Sequence, residues 1–259
     1  MTPRSAVTPK LSDAQLGELL GLLEGADSVE LKLTVPASDQ QSAVGALQVD
    51  PLDAQVRQVF FFDTPELTLY DAGIVVRARR VQRKGDDSVV KLRPVVPDDV
   101  PAKLRRSDDF GIEVDAMPGG FVCSGSMKHA LEKPIVRAAV HGEQRVRKLF
   151  SKEQRRLYEE RAPEGIDLDE LAILGPLFVL KVKFKPEGFS QQMVGEMWLY
   201  PDGSRILELS TKCRPKGAFD LIAESRAFLT RRGVDLSGVQ QTKTRKALNF
   251  FSKQLQAAA

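Results

Sequence analysis

The stretch SVELKLTV at residues 28–35 alternates polar and apolar side chains over eight positions. In a β-strand, side chains two residues apart lie on the same face, so Val29 and Leu31 would share one face of this segment. Glu30 and Lys32 would then share the opposite face. A strand with one apolar and one charged face predicts a sheet that packs against helices on one side and carries charges on the other.

The same two-residue period recurs along much of the chain. It is found in seven further segments, at 56–62, 73–81, 88–94, 109–115, 178–185, 192–200 and 204–211. The last two are joined by Pro201-Asp202-Gly203, a combination typical of tight turns. These features predict an α+β fold, a closed antiparallel eight-stranded β-barrel that forms a tunnel, with helices packed outside.

Helical patterns occupy the remaining parts of the chain. Residues 11–24 and 217–232 have apolar side chains at helical spacing. The segment 117–177 is rich in charge, and Ser151–Gln154 has the form of a capping box, which predicts a helix start. We expect residues 1–259 to form a single domain, with 117–177 as a helical insertion outside the sheet.

Charged side chains recur on one face of six predicted strands. These sets are Glu30 and Lys32; Arg77 and Arg79; Lys91 and Arg93; Glu113 and Asp115; Lys181, Lys183 and Lys185; and Glu208 with Ser210 and Lys212. A solvated sheet face is the simplest interpretation, but the acids and bases segregate by strand. In a closed barrel they would line a lumen, where clustered Lys and Arg favour a multiply charged anion. The carboxylates would repel a phosphate chain unless a hard cation such as Mg²⁺ lay between them.

The composition limits the class of protein. Hydrophobic residues make up 42% of the chain, which is typical of a globular protein, and the net charge of +3 is too small to predict a polyanionic partner. No apolar run approaches the roughly 20 residues that cross a bilayer, and the first ten residues do not resemble a signal peptide. Cys123 and Cys213 lie in no metal-binding or redox spacing. We therefore expect a cytoplasmic protein with reduced thiols and no membrane segment.

Taken together, these segments resemble the CYTH domain, or triphosphate tunnel metalloenzyme, superfamily. SVELKLTV resembles its ExExK strand, and FFFDTPELTLYDAGIVVRARR at 60–80 is similar to its YFDTP segment and the following LRxR strand. The later motifs follow in the same order: VVKLRP at 89–94, FGIEVD at 110–115, LKVKFK at 180–185, GSRILELST at 203–211 and QTKTRKAL at 241–248. Only 117–177 falls outside the common pattern.

The resemblance implies a tunnel that binds a nucleoside, thiamine or inorganic triphosphate with Mg²⁺ or Mn²⁺. Members of the superfamily hydrolyse the terminal phosphate or, as class IV adenylyl cyclases, cyclise ATP. The phosphate-binding residues implied are Lys32, Arg77, Arg79, Lys91, Arg93, Lys181, Lys183 and Lys243. The metal ligands implied are Glu30, Glu196 and Glu208, and the catalytic residues are Glu30, Glu113 and Asp115, of which Glu113 and Asp115 would position ligand or water. Asp63-Thr64-Pro65 is expected to shape a corner of the fold.

Two positions depart from the superfamily pattern. Ser28 replaces the first Glu of ExExK, and Ser210 replaces the last Glu of the late ExE motif. Serine is a poor ligand for a hard divalent ion, so we expect weaker metal binding, with a single ion if two are normally held.

The sequence therefore supports several functions in order of preference. A metal-dependent triphosphatase comes first, because the basic side of the predicted tunnel is complete. A non-catalytic polyphosphate or nucleotide sensor comes second, and a class IV-type adenylyl cyclase third. The partner is expected to be a small molecule with a phosphate chain, and a nucleic acid is disfavoured because aromatic stacking residues are scarce. A homodimer is left open.

Overall fold

The computed structural model of the protein describes residues 12–236 and 242–258. Within these residues there are nine strands: β1 (Ser28–Val35), β2 (Gln55–Asp63), β3 (Ile74–Val81), β4 (Asp86–Leu92), β5 (Phe110–Met117), β6 (Gly120–Leu131), β7 (Ala172–Phe184), β8 (Met193–Leu199) and β9 (Arg205–Cys213). They also contain eight α-helices: α1 (Asp13–Glu24), α2 (Gln40–Ala46), α3 (Thr68–Asp71), α4 (Ala102–Arg105), α5 (Ile135–Val140), α6 (Lys152–Glu159), α7 (Ala218–Arg231) and α8 (Lys243–Ala258). Leu11 and Gln241, which begin two of the predicted segments, lie outside the described residues.

The strands close into one barrel in the order β1-β5-β6-β4-β3-β2-β7-β8-β9, and β9 pairs with β1. The predicted closed barrel with outer helices is confirmed, but it has nine strands instead of eight. It is also not wholly antiparallel, because β1 runs parallel to β5, with Glu30 beside Asp115. A parallel pair requires a long crossover between its strands, and the three strands that separate β1 from β5 in sequence provide one.

The ninth strand, β6, lies in the segment 117–177 that the sequence predicts as a helical insertion. A tight hairpin joins β5 to β6, and Gly119 within it has a φ of +93°, a conformation that favours glycine. Cys123 and Met127 are buried in the core, but Gly125 lies between them and serines alternate with them. This mixture of small, polar and apolar side chains conceals the two-residue period.

Helices α5 and α6 lie in the middle of that segment, and the predicted helix start at Ser151 is confirmed, whereas its last residues, 172–177, belong to β7. The Ser151 hydroxyl accepts a hydrogen bond of 3.1 Å from the Gln154 amide, and the Gln154 side chain accepts one of 3.0 Å from the Ser151 amide. The Gln154 side-chain amide also donates to the carbonyls of Ser88 on β4 and Met127 on β6. These bonds fix α6 to the outside of the barrel wall.

The apolar faces of the strands form the core between the barrel and the outer helices. Leu31 and Leu209 are buried there with Leu221 and Leu229 of α7. A second cluster lies where α8 packs against β2, β7 and β8; its members include Val59, Phe61, Trp198, Leu248 and Phe251. Val59 and Trp198 of this cluster also line the lumen, as does Lys243 at the start of α8.

Candidate functional site

The barrel encloses a cavity of about 1020 Å³, which we call the lumen. All eight residues predicted to bind phosphate line it, as do four of the five predicted acidic residues. The fifth, Asp115, is completely buried directly behind the lumen surface and bonds to Lys32. The alternation of side chains along the strands therefore brings the whole predicted set together, whereas the roles of these residues remain predictions.

Asp115 on β5 is the centre of the first group of charges. Its Oδ1 accepts a hydrogen bond of 2.6 Å from Lys32 Nζ, which also lies 3.1 Å from the Glu30 carboxylate. Its Oδ2 lies 3.6 Å from Lys91 Nζ and 3.3 Å from Arg93 Nη2. We call these five residues the Asp115 cluster, in which two carboxylates face three cations.

The members of the Asp115 cluster shift one another's pKa values. Burial opposes the ionisation of Asp115, but Lys32 and Lys91 outweigh it and lower the pKa to about 2. Burial lowers the pKa of Lys91 to about 8; Asp115 partly opposes this shift, and the cations Lys32 and Arg93 add to it. At neutral pH Asp115 is thus ionised, and Lys91 holds its proton less firmly than an ordinary lysine.

The second group of charges, the Glu196 cluster, comprises Lys181, Glu196, Glu208 and Lys243. Lys243 at the start of α8 lies 2.5 Å from Glu196 and 2.6 Å from Glu208, and Lys181 lies 2.9 Å from Glu196. Lys243 also sits over the ring of Trp198, 4.9 Å from its centroid. Burial opposes the charge on Glu196, but Lys243 and Lys181 lower its pKa well below the usual value. Both carboxylates of this cluster are therefore neutralised by lysine.

Three arginines form the third feature of the lumen, the arginine wall of Arg57, Arg77 and Arg79. Arg79 makes two hydrogen bonds of 2.8 Å to Asp87. The Nε of Arg77 is shielded from solvent and has no hydrogen-bond partner among the described residues. Burial and the neighbouring charge of Arg79 lower the pKa of Arg77 to about 10. Among the described residues, Arg77 therefore forms no ion pair within 4.0 Å, although Asp87 and Glu196 lie near enough to raise its pKa partly.

Three basic residues of the lumen were not in the predicted set. Arg57 lies in the predicted strand 56–62, two positions before Val59, which faces the lumen. The two-residue period of a strand therefore places Arg57 on the lumen face as well. Lys128 lies on β6, within the segment predicted to be a helical insertion, so no strand period identified it. Lys212 shares the predicted face of Glu208 and contacts Glu113, although its position within the lumen was left open.

The carboxylates are grouped differently from the predicted metal set of Glu30, Glu196 and Glu208. Glu30 pairs in register with Asp115 on one side and Lys212 on the other, whereas Glu208 lies opposite Thr34, four residues further along β1. In the described parts of the chain, the acidic group with oxygens within 4.8 Å of one another is Glu30, Glu113 and Asp115. The parallel pairing of β1 with β5, which the sequence did not predict, produces this triad.

This carboxylate triad fits a hard divalent cation. Asp115 Oδ2 is buried and has no hydrogen-bond donor in suitable geometry within the described chain, and its charge is balanced by Lys91 at 3.6 Å and Arg93 at 3.3 Å. Three carboxylate oxygens are the donor type that Mg²⁺ and Mn²⁺ prefer. Ser210, which replaces an expected acid, lies opposite Lys32 in the β1–β9 pairing and lines the lumen, so the substitution lies beside this triad.

Two solved structures share the fold. A putative adenylate cyclase from Bacillus halodurans aligns with a TM-score of 0.58 at 13% identity, over 85% of this chain and 98% of its own. A putative adenylyl cyclase from Hippeastrum, described as having a dominant triphosphatase activity, aligns with a TM-score of 0.57 at 18% identity, over 82% of this chain and 91% of its own. No family model and no curated protein matches the sequence. The fold that the resemblance implied, a closed β-barrel with helices outside, is therefore shared with solved structures.

None of the helices in the described parts of the chain is long and apolar enough to cross a membrane.

Proposed function

We propose that the protein binds a triphosphate-type anion in the lumen and hydrolyses its terminal phosphate with Mg²⁺ or Mn²⁺. The observation that carries this proposal is the presence of two complementary surfaces in one lumen. The arginine wall lines one part of the lumen, and Glu30 and Glu113 of the carboxylate triad line another, with Asp115 buried beside them. The triphosphatase activity described for the Hippeastrum neighbour, which shares the fold, supports the reaction class.

The basic residues would bind and orient the phosphate chain. A guanidinium offers a planar set of donors that matches phosphate oxygens, so Arg77 and Arg79 would hold the non-reacting phosphates. Lys32 and Lys91 provide compact charges beside the triad, where the terminal phosphate would lie. Because these groups are fixed by the barrel before ligand binds, they would stabilise the charge that develops during transfer.

The acidic residues would hold the metal and the attacking water. Glu30, Glu113 and Asp115 would bind one cation, which when present neutralises phosphate charge and lowers the pKa of bound water. Glu113 is already oriented by its ion pair with Lys212 and would position the water. Lys32, which bridges Glu30 and Asp115 in this structure, would turn its ammonium group to the phosphate.

Phosphate release from tripolyphosphate, ATP and thiamine triphosphate, measured with Mg²⁺ or Mn²⁺, tests the proposal. We expect metal-dependent release, a loss of about 100-fold in kcat/KM for Arg77→Gln, and a higher metal concentration for half-maximal release by Glu30→Gln. Arg106→Gln removes an exposed guanidinium elsewhere and should behave as wild type. Absence of release from all three substrates with either metal would contradict the proposal, and cyclic AMP formation from ATP would favour the cyclase instead.

A second candidate function, a non-catalytic polyphosphate or nucleotide sensor, is favoured by the bridge that Lys32 makes between Glu30 and Asp115. An ammonium at this place, together with Ser28 and Ser210, reduces the need for a metal ion. A sensor would bind tripolyphosphate tightly in EDTA, as measured by calorimetry, and would release no phosphate. Phosphate release that appears only in Ser28→Glu/Ser210→Glu would show that the missing acids limit turnover.

A further inference from the structure

A second cavity, of about 630 Å³, lies beside the lumen, and we call it the side cleft. Its floor includes Ile74 at the start of β3 and Leu92 at the end of β4. Three arginines from separate parts of the chain also line it: Arg93 after β4, Arg161 after α6, and Arg245 on α8.

The charge of the side cleft is strongly unbalanced. Asp71 is the one acidic residue of its described lining, against the three arginines. Arg161 and Arg245 are exposed and, in the described chain, have no ion pair with any carboxylate. Converging guanidinium groups without acidic partners favour an anion with several acceptor oxygens.

The backbone of the side cleft supplies few further donors. The Arg93 amide already donates to the Gly73 carbonyl at 2.7 Å, and the Val95 amide donates to the Cys123 carbonyl at 3.1 Å. Pro94, between them, has no amide hydrogen. The three guanidinium groups are therefore the main donors of the cleft, which favours a ligand with several acceptor oxygens.

Arg161 and Arg245 lie in segments whose backbone is held in place by hydrogen bonds and packing. The amide of Arg161 donates to the carbonyl of Tyr158, a buried residue of α6. Arg245 lies on α8 between Lys243, which bonds to both acids of the Glu196 cluster, and Lys246, which sits 4.4 Å from the centroid of the Tyr200 ring. Only the side chains need to move to bind an anion, which reduces the entropy cost of binding.

Arg93 connects the side cleft with the lumen. It lines both cavities, and its Nη2 lies 3.3 Å from Asp115 Oδ2. We propose that the side cleft is a second anion site, in which Arg93, Arg161 and Arg245 bind a phosphate group outside the lumen. The phosphate group has two possible sources, free inorganic phosphate or the distal end of a phosphate chain that begins in the lumen. The second source rests on the proposed function, whereas the first does not.

The first arm of the test uses inorganic phosphate. The arginine side-chain NMR signals are followed during a phosphate titration, in protein alone and in protein saturated with tripolyphosphate. If free phosphate is the ligand, the signals of Arg161 and Arg245 shift in both samples. Failure of tripolyphosphate to bind would count against the proposed function, while the titration of protein alone would still test the side cleft.

The second arm compares the calorimetric affinities of tripolyphosphate and a longer linear polyphosphate. If the cleft holds the distal end of a chain, Arg161→Gln/Arg245→Gln weakens the longer chain by about tenfold and leaves tripolyphosphate within about twofold. The control, Arg106→Gln/Arg137→Gln, removes the same charge from exposed positions elsewhere. The proposal is overturned if phosphate shifts neither the Arg161 nor the Arg245 signals and the double variant binds the longer chain as wild type does, or if the control double variant has the same effect.

Discussion

Lys91 is the cation of the Asp115 cluster whose charge depends most on what the lumen contains. Its pKa of about 8 lies below the usual lysine value, because burial and neighbouring cations disfavour the charged form. A bound polyanion favours that form and raises the pKa again. Between about pH 8 and the raised pKa, binding must therefore take up a proton, and affinity must fall as the pH rises through this window.

Calorimetry in buffers of different ionisation enthalpy measures this proton uptake. In EDTA at about pH 9, we expect wild type to take up a substantial fraction of one proton when tripolyphosphate binds. Lys91→Arg keeps the charge but does not titrate in this range, so its uptake should be close to zero. Equal uptake by the two proteins would show that another group accepts the proton.

Replacement of Asp115 should lower the stability of the protein and at the same time increase its metal-free affinity for an anion. Asp115→Asn leaves Lys32, Lys91 and Arg93 without their shared buried counterion, which should lower the free energy of unfolding by about 3–5 kcal/mol. The same change removes a negative charge beside the phosphate site, so metal-free affinity for tripolyphosphate should increase. Urea unfolding and calorimetry in EDTA measure the two effects.

A surface carboxylate provides the comparison for Asp115. Glu160 pairs with Arg156 at 2.8 Å, but both side chains are more than half exposed. Glu160→Gln should therefore change stability by less than about 1 kcal/mol and leave tripolyphosphate affinity unchanged. An Asp115→Asn protein as stable as wild type would mean that the three cations are already solvated in the empty lumen.

Among the elements of the fold, helices α1 and α6 begin with the same capping box. Gln15 at the start of α1 and Gln154 at the start of α6 both accept a hydrogen bond from the residue before their helix. Gln15 is exposed, whereas Gln154 is completely buried and also donates to Ser88 and Met127. Replacement of each glutamine by Leu separates two contributions to stability: the helix cap, which both variants lose, and the attachment of α6 to the barrel, which only Gln154→Leu loses.

Gln154→Leu should lower the free energy of unfolding by about 2–4 kcal/mol, because two buried carbonyls lose their donor. Gln15→Leu should cost about 1 kcal/mol or less, the value of an exposed cap. Urea denaturation of both variants measures the difference. Equal losses would mean that the buried carbonyls find water and that α6 is not held to the barrel by this side chain.

The elements differ in how far the sequence predicted them. The strand that contains Glu30 and the helix that begins after Ser151 have strong local signals, an even apolar alternation and a reciprocal cap. β6 has neither, because Gly125 and small polar residues interrupt its apolar row. The parallel pairing of β1 with β5 has no local signal at all, since it depends on how the barrel closes. The sequence therefore placed the lumen residues but did not place Asp115 and Glu113 beside Glu30.

At the scale of the whole molecule, charge is separated between inside and outside. The described lining of the lumen contains eleven Lys and Arg side chains and four Glu side chains, a formal charge of +7. The whole chain carries only +3, so the remainder is negative by about four charges. The net charge of the chain could not predict this separation, which arises because alternation directs one face of each strand into the barrel.

This separation predicts that the protein discriminates between anions by size. Tripolyphosphate can enter a lumen of about 1020 Å³, whereas a DNA duplex meets only the outer surface. In a competition experiment with labelled tripolyphosphate, duplex DNA at about tenfold excess of phosphate groups should displace none of it at physiological salt. Glu159→Lys/Glu160→Lys raises the net charge by four at exposed positions at the end of α6 and should leave tripolyphosphate affinity within about twofold, since those positions lie outside the lumen. Displacement by DNA from wild type would place the anion site on the outer surface and would contradict the tunnel as the binding site.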